Sequence, residues 1–168
     1  MKRIYYCAIY LFAVSGCQKE LSLEQTDLNS IKAEAFQRAI VEKKFQLKSF
    51  YSDIPVDYVE TDTVVKQEIN LWWYVSGYLK DDGNIFSSDK KNLTITQNAL
   101  KIPGITDAVL NRNYTIGSDK DGVFMIFLDN EYKPLTYRVF ASGSDYFILF
   151  VKWKYGATLY SKFEVIPM

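Results

Sequence analysis

The sequence predicts a mainly β domain, an antiparallel up-and-down meander closing into a β-barrel, preceded by a short N-terminal helix. Three observations carry the prediction. Segments rich in β-branched and aromatic residues recur after residue 44 at roughly ten-residue spacing. Turn-forming clusters separate them. The chain holds 13 Tyr, 11 Phe and 3 Trp, side chains that suit a pleated, half-buried surface. With 48% hydrophobic residues in 168, there is enough apolar surface for one packed domain.

The N-terminus comes first. Lys2 and Arg3 precede an apolar run, Ile4–Val14, followed by Ser15, Gly16 and Cys17. A spanning helix needs ~20 apolar residues, so the run is too short and matches the apolar core of a secretion signal. Val14-Ser15-Gly16-Cys17 resembles the lipobox of bacterial lipoproteins. The resemblance implies removal of residues 1–16 as a signal peptide by cleavage between Gly16 and Cys17. It also implies a diacylglyceryl thioether on Cys17, usually with an acylated amine. Each buried CH₂ then contributes ~0.8 kcal/mol to membrane attachment. Cys7 leaves with the signal and Cys17 becomes the anchor, so the domain keeps no thiol and no disulfide. In this class an Asp after the Cys marks inner-membrane retention. Gln18 stands there instead, which points to the outer membrane, facing the periplasm or the cell surface. Lys19-Glu20 resembles a weak surface-export signal.

Residues 17–30 read as a polar, lipidated tether. Asn29-Ser30 is placed to cap a helix over 31–43, in which Ile31, Ala35, Phe36, Ala39 and Ile40 recur at helical spacing. That helix is expected to pack over one end of the domain, residues 44–168. In the opening strand KFQLKSFY, alternation puts Phe45, Leu47 and Ser49 on one face and Gln46, Lys48 and Phe50 on the other. NLTIT brings Leu93 and Ile95 together. DGVFMIFL, LTYRVF, YFILFVKW and ATLYSKFEV complete the strands, the last with Leu159, Ser161, Phe163 and Val165 on one face. Turns are expected at Asp81-Asp82-Gly83-Asn84, Pro103-Gly104, Asp119-Lys120-Asp121-Gly122, Asp129-Asn130, Ser142-Gly143-Ser144-Asp145 and Tyr155-Gly156. Pro134 suits the first residue of its strand. Residues 64–77, VVKQEINLWWYVSG, break the pattern: Val65, Ile69, Trp72 and Trp73 read as a short helix or turn, although WWYV equally suits the start of a strand.

In this order of elements, residues 43–168 resemble the small lipocalin-like lipoproteins of Gram-negative bacteria. The likeness lies in FQLKSFY, a loop with Pro55-Val56-Asp57, a helical insert, YLKDDGNIF, NLTIT and a run of antiparallel strands. YRVFASGSDYFILF is similar to the family's Tyr-x-Val strand, Asp-bearing turn and aliphatic strand. Phe45 stands where the family usually has Trp, and Tyr78 or a neighbour where it often has Cys. The resemblance implies a lipocalin-like barrel rather than an activity.

Composition narrows the chemistry. The chain has no His, which excludes Ser-His-Asp and Cys-His catalysis and any imidazole metal site. No enzyme activity, cofactor or metal is expected. Twenty basic residues balance twenty acidic ones, so no basic surplus points to nucleic acid. Trp72-Trp73-Tyr74 with Tyr78 is the densest aromatic cluster. It reads either as core closing one end of the barrel or as a stacking surface for a glycan or apolar ligand. Asp53, Asp57, Glu60 and Asp62 read as a solvated loop or a carboxylate site, with spacing unlike an EF-hand. Asp119, Asp121 and Gly122 read as a strand turn or a fragment of a calcium loop. Arg112, Arg138, Lys152 and Lys154 read as solvated strand faces or as the mouth of an anion site. Asp62-Thr63-Val64 matches a three-residue O-glycosylation pattern that also arises by chance. The expected function is binding of a small apolar or amphipathic ligand in the barrel or at its mouth. The alternative is a filled barrel serving as a surface interaction or glycan-recognition module.

Overall fold

Alternation and β-branching set the chain into strands from Lys44 onward in this computed structural model, which describes residues 25, 27–56, 68–104, 106–128 and 134–168. The strands are β1 (Lys44–Val56), β2 (Glu68–Asn70), β3 (Gly83–Phe86), β4 (Asn92–Thr96), β5 (Val109–Asp119), β6 (Gly122–Leu128), β7 (Leu135–Ser142), β8 (Tyr146–Lys152) and β9 (Thr158–Ile166). They form a single antiparallel sheet in a ring. From β3 to β9 each strand pairs with the next. β1 pairs with β9 on one side and with β3 and then β2 on the other. The β1–β9 ladder runs from Lys44↔Ile166 to Ser52↔Leu159, whereas the β1–β3 seam is held at Lys44↔Ile85 and Phe45↔Asn84. At that seam Gly83 is closely covered: a Cβ there would run into Lys44 Cε and Thr96 Oγ1, and those side chains would have to shift.

Two bulges bend the ring. Leu47 faces Phe163 but Ser49 faces Lys162, so Lys48 is the extra residue on β1. Val139 faces Leu149 and Ala141 faces Ile148, so Phe140 is the extra residue on β7. Bulges of this kind add local twist and help a sheet curl. The β1 bulge corrects the predicted alternation. Phe50, opposite Ser161, joins Phe45 and Leu47 on the inner face, and Ser49 does not. The expected shared face of Leu159, Ser161, Phe163 and Val165 holds, since these residues oppose the inward set of β1.

Helix α1 spans 27–40 and lies over one end of the ring. It starts before the predicted 31–43, so the expected tether is helical at its end, and Asn29 is not a cap. Its buried stripe is Asn29, Ala33, Phe36 and Ile40, while Ile31 is 62% exposed. The stripe is rotated because Asn29 is an inward polar anchor: its amide donates to the Asp119 carbonyl at 2.8 Å. Lys43 Nζ donates to the Ser144 carbonyl at 2.8 Å, fastening the helix exit to the β7–β8 turn. Phe36 then meets Phe147, which also contacts Phe45, Phe86 and Phe163 at centroid distances of 4.8–5.9 Å. Leu93, Tyr114, Val123, Met125 and Leu149 complete this core. A smaller cluster, Val56, Leu71, Ala157 and Leu159, lies toward the opposite end.

Strand β5 had no counterpart among the expected elements. Its VLNRNYTIGSD is too polar to read as a strand, yet Tyr114 and Leu110 on its inner face are buried. The Asp119–Gly122 turn is where expected, with Asp119 opposite Gly122 and Gly122 at φ +118. The turn expected at 81–84 is displaced: helix α2 (Gly77–Asp81) ends there and Gly83 already opens β3. The 64–77 segment, from Glu68 on, contains β2, a 3-10 turn at Trp72–Tyr74 and the first residue of α2. Pro134 directly precedes β7. Residues 1–24, with Cys7, Gly16 and Cys17, lie outside the described residues, as do Asp57, Glu60, Asp62-Thr63-Val64, Val65 and the Asp129-Asn130 turn. Among the described residues no helix is long and apolar enough to cross a membrane.

Candidate functional site

The helix end of the ring is packed with rings and methyls; the other half of the interior is not. A cavity of about 360 Å³ is lined by Leu47, Phe50, Tyr74, Leu79, Asp82, Asn84, Ile95, Tyr137, Ser161 and Phe163, among others. A second space of about 230 Å³ adjoins it through Asn84 and Ile95 and reaches Leu93, Arg112, Phe127 and Leu128. The larger volume lies in the range of small-molecule sites.

Its roof is built locally. Asn70 Oδ1 accepts the Trp72 N–H at 3.0 Å, and Tyr74 N–H donates to the Leu71 carbonyl at 3.0 Å. These bonds fold WWY into one 3-10 turn. Leu71, fully buried, pins the turn to β1 through a 3.0 Å bond from its N–H to the Phe50 carbonyl. Helix α2 follows, and the chain leaves it in an extended conformation at Asp82. From there the strand period takes over. Asn84 opposes Phe45 and Ile95, both on the inner face, so Asp82, Asn84 and Phe86 all turn inward.

The result is an apolar chamber with a polar wall. Asp82 is 3% exposed, and its Oδ1 has no hydrogen-bond partner. Burial, reinforced by the charge of Asp81, pushes its carboxyl up from 3.8 to about 6. Asn84 Nδ2 donates to the Phe45 carbonyl at 3.3 Å, so its amide is oriented by the seam. Tyr114, deeper on β5, also has an unpartnered buried hydroxyl, and burial pushes it up to about 12.

Of the predicted aromatic site, Tyr74 lines the cavity. Trp73 is 79% exposed and points away. Trp72 and Tyr78 are half-buried outside the lining, and Lys80 Nζ sits 4.9 Å over the Trp72 ring. The polar lining residues Asp82, Asn84, Tyr137 and Ser161 were missed. DDGN reads as a turn in any hydropathy pattern; only the inward repeat of 82, 84 and 86 betrays it.

The charged candidates disperse. Arg112 borders the inner space, whereas Arg138 lies on the outer face, bidentate to Asp119 at 2.6 and 2.7 Å with Phe124 under its guanidinium. Those hydrogen bonds hold the Asp119 carboxyl below the usual range. Lys152 donates to Thr158 Oγ1 at 2.9 Å. These side chains form no common mouth. Asp53 accepts the Thr158 N–H at 2.8 Å, which lowers its pKa, so it tethers the start of β9. Among the described residues no three His, Cys, Asp or Glu side chains cluster as a metal site.

Outside the ring, a groove of about 740 Å³ runs between α1 and β7. Its buried polar side chain, Asn29, already has its partners. The cavity around Asp82 is therefore the stronger site. Comparison of the chain with protein-family models, curated proteins and solved structures finds no match.

Proposed function

We propose that the protein is a lipid-anchored lipoprotein of the cell envelope whose lipocalin-like β-barrel binds a small apolar or amphipathic molecule in its interior. The half-empty ring carries the reading: a cavity of about 360 Å³, walled by Leu47, Phe50, Ile95 and Phe163, opposite a fully packed helix end. A ring of about eight strands either fills with side chains or holds one small ligand, and here the aromatic load fills one half. Native mass spectrometry of the protein purified from its own membranes is expected to show a co-purifying small molecule. Ser161→Trp, which fills the chamber from β9, is expected to lose it. Retention of the molecule by a folded Ser161→Trp protein would place binding elsewhere.

The anchor rests on VSGC and its charged, apolar leader. Cys17→Ala is expected to abolish labelling by a fatty-acid probe and release the protein from the membrane fraction. Persistent labelling would refute the lipobox reading.

A second reading, recognition of a glycan or protein by the outer surface, is favoured by one observation. Tyr51 and Tyr160 stack at 5.1 Å and 10°, and Phe140, 59% exposed, meets Tyr160 edge-on at 5.2 Å. An aromatic row of one exposed and two half-buried rings on the outer face suits sugar stacking. Binding that survives Ser161→Trp but is lost in Tyr160→Ala would select it.

A further inference from the structure

Asp82 is a carboxylate that the fold buries with its Oδ1 unpartnered. A buried charge is costly unless it is paired and hydrogen-bonded. Among the described residues no Lys or Arg lines the larger cavity. Arg112 borders the adjoining space and is itself engaged. The nearest charge acting on Asp82 is another carboxylate, Asp81, whose Oδ2 accepts the Leu100 N–H at 3.0 Å. The other described wall groups that can ionise, Tyr74 and Tyr137, carry no positive charge.

We infer that the cavity takes an amphipathic amine, its apolar body against Leu47, Phe50, Ile95 and Phe163 and its cationic N–H head on Asp82. This rests on the interior-ligand reading and specifies its ligand class. An ammonium supplies both things that Asp82 lacks, a hydrogen-bond donor and a positive charge. Aromatic walls favour the same head, because a cation is drawn to ring faces. A carboxylate ligand would face two like charges. An alcohol would satisfy the hydrogen bond and leave the charge uncompensated. A metal ion would find, among the described residues, one carboxylate in the cavity wall, since Asp81 lies outside the lining.

Three probes with one body and different heads test this: phenylbutylamine, phenylbutanol and phenylbutyrate, titrated calorimetrically into the full chain. The amine is expected to bind ~10-fold or more tightly than the alcohol, since a hydrogen bond to a charged group contributes more than one between neutral groups. Phenylbutyrate is expected to bind weakest. In Asp82→Asn the amine and the alcohol are expected to bind alike. In the wild type, amine affinity is expected to drop ~10-fold per pH unit below about 6 as Asp82 takes up a proton, with the alcohol unchanged. That titration needs no variant, so it stands if Asp82→Asn fails to fold. Equal binding of amine and alcohol to the wild type, with no pH dependence, overturns the amine head and leaves the interior site intact. Failure of all three probes, with Ser161→Trp making no difference to the co-purified molecule, overturns both.

Discussion

Phe147→Ala is expected to cost about 3–5 kcal/mol of stability, a loss typical of truncating a fully buried aromatic ring. Phe147 is fully buried. Its ring packs edge-on to Phe36 of α1, Phe45 of β1 and Phe86 of β3, and stacks on Phe163 of β9 at 4.8 Å and 17°. It is thus the side chain through which the helix, the seam and the closing strand touch one another. Deleting it leaves a void that ring strands cannot collapse into without breaking register, so the cavity cost adds to the transfer cost. Urea unfolding followed by Trp fluorescence is the measurement. A fall in the midpoint with an unchanged slope is the expected form. A loss below 1 kcal/mol would show that the helix end is not packed as described.

The second large effect runs the other way. Asp82→Asn is expected to stabilise the protein by about 1–2 kcal/mol near pH 7.5. The Asp82 carboxyl is raised from 3.8 to about 6 in the fold, chiefly by burial. Folding therefore takes up a proton between these values. Wild-type stability should fall as pH rises from about 4 through about 6, by roughly 2–3 kcal/mol in all, and then level off. The Asn variant lacks this slope, and its advantage should vanish near pH 4. It recovers less than the full amount because its amide is still short of hydrogen bonds. Thermal unfolding of both proteins between pH 4 and 8 reads the difference directly. Parallel curves would mean that Asp82 is solvated or paired.

Much of the ring was legible in the sequence because strands buried on one face advertise themselves. VFMIFL, YFILFV and TLYSKF carry alternating or continuous apolar residues between Gly- and Asp-bearing turns, and they became β6, β8 and β9. β5 was not legible, because its outward residues and its Gly117 and Ser118 dilute the few that point inward. Residue 50 went to the wrong face because a bulge at Lys48 is set by the partner strand and leaves no mark on β1 alone. The cavity was harder still. A lining of Asp82, Asn84, Tyr137 and Ser161 is ordinary surface chemistry until closure turns it inside. Trp72 and Trp73 drew attention by size, yet Tyr74 beside them is the one that lines the chamber.

The ring closes between its first and last long strands, Phe45 opposite Val165. During synthesis the polypeptide therefore cannot complete the ring until β9 has arrived. Until then β1 and β8 each wait with one bare edge, and bare edges invite pairing with other chains. Such a protein depends on being kept apart from its copies before completion. A chain cut short before β9 would lose far more than one strand: it would be left with two sticky margins and no way to join them.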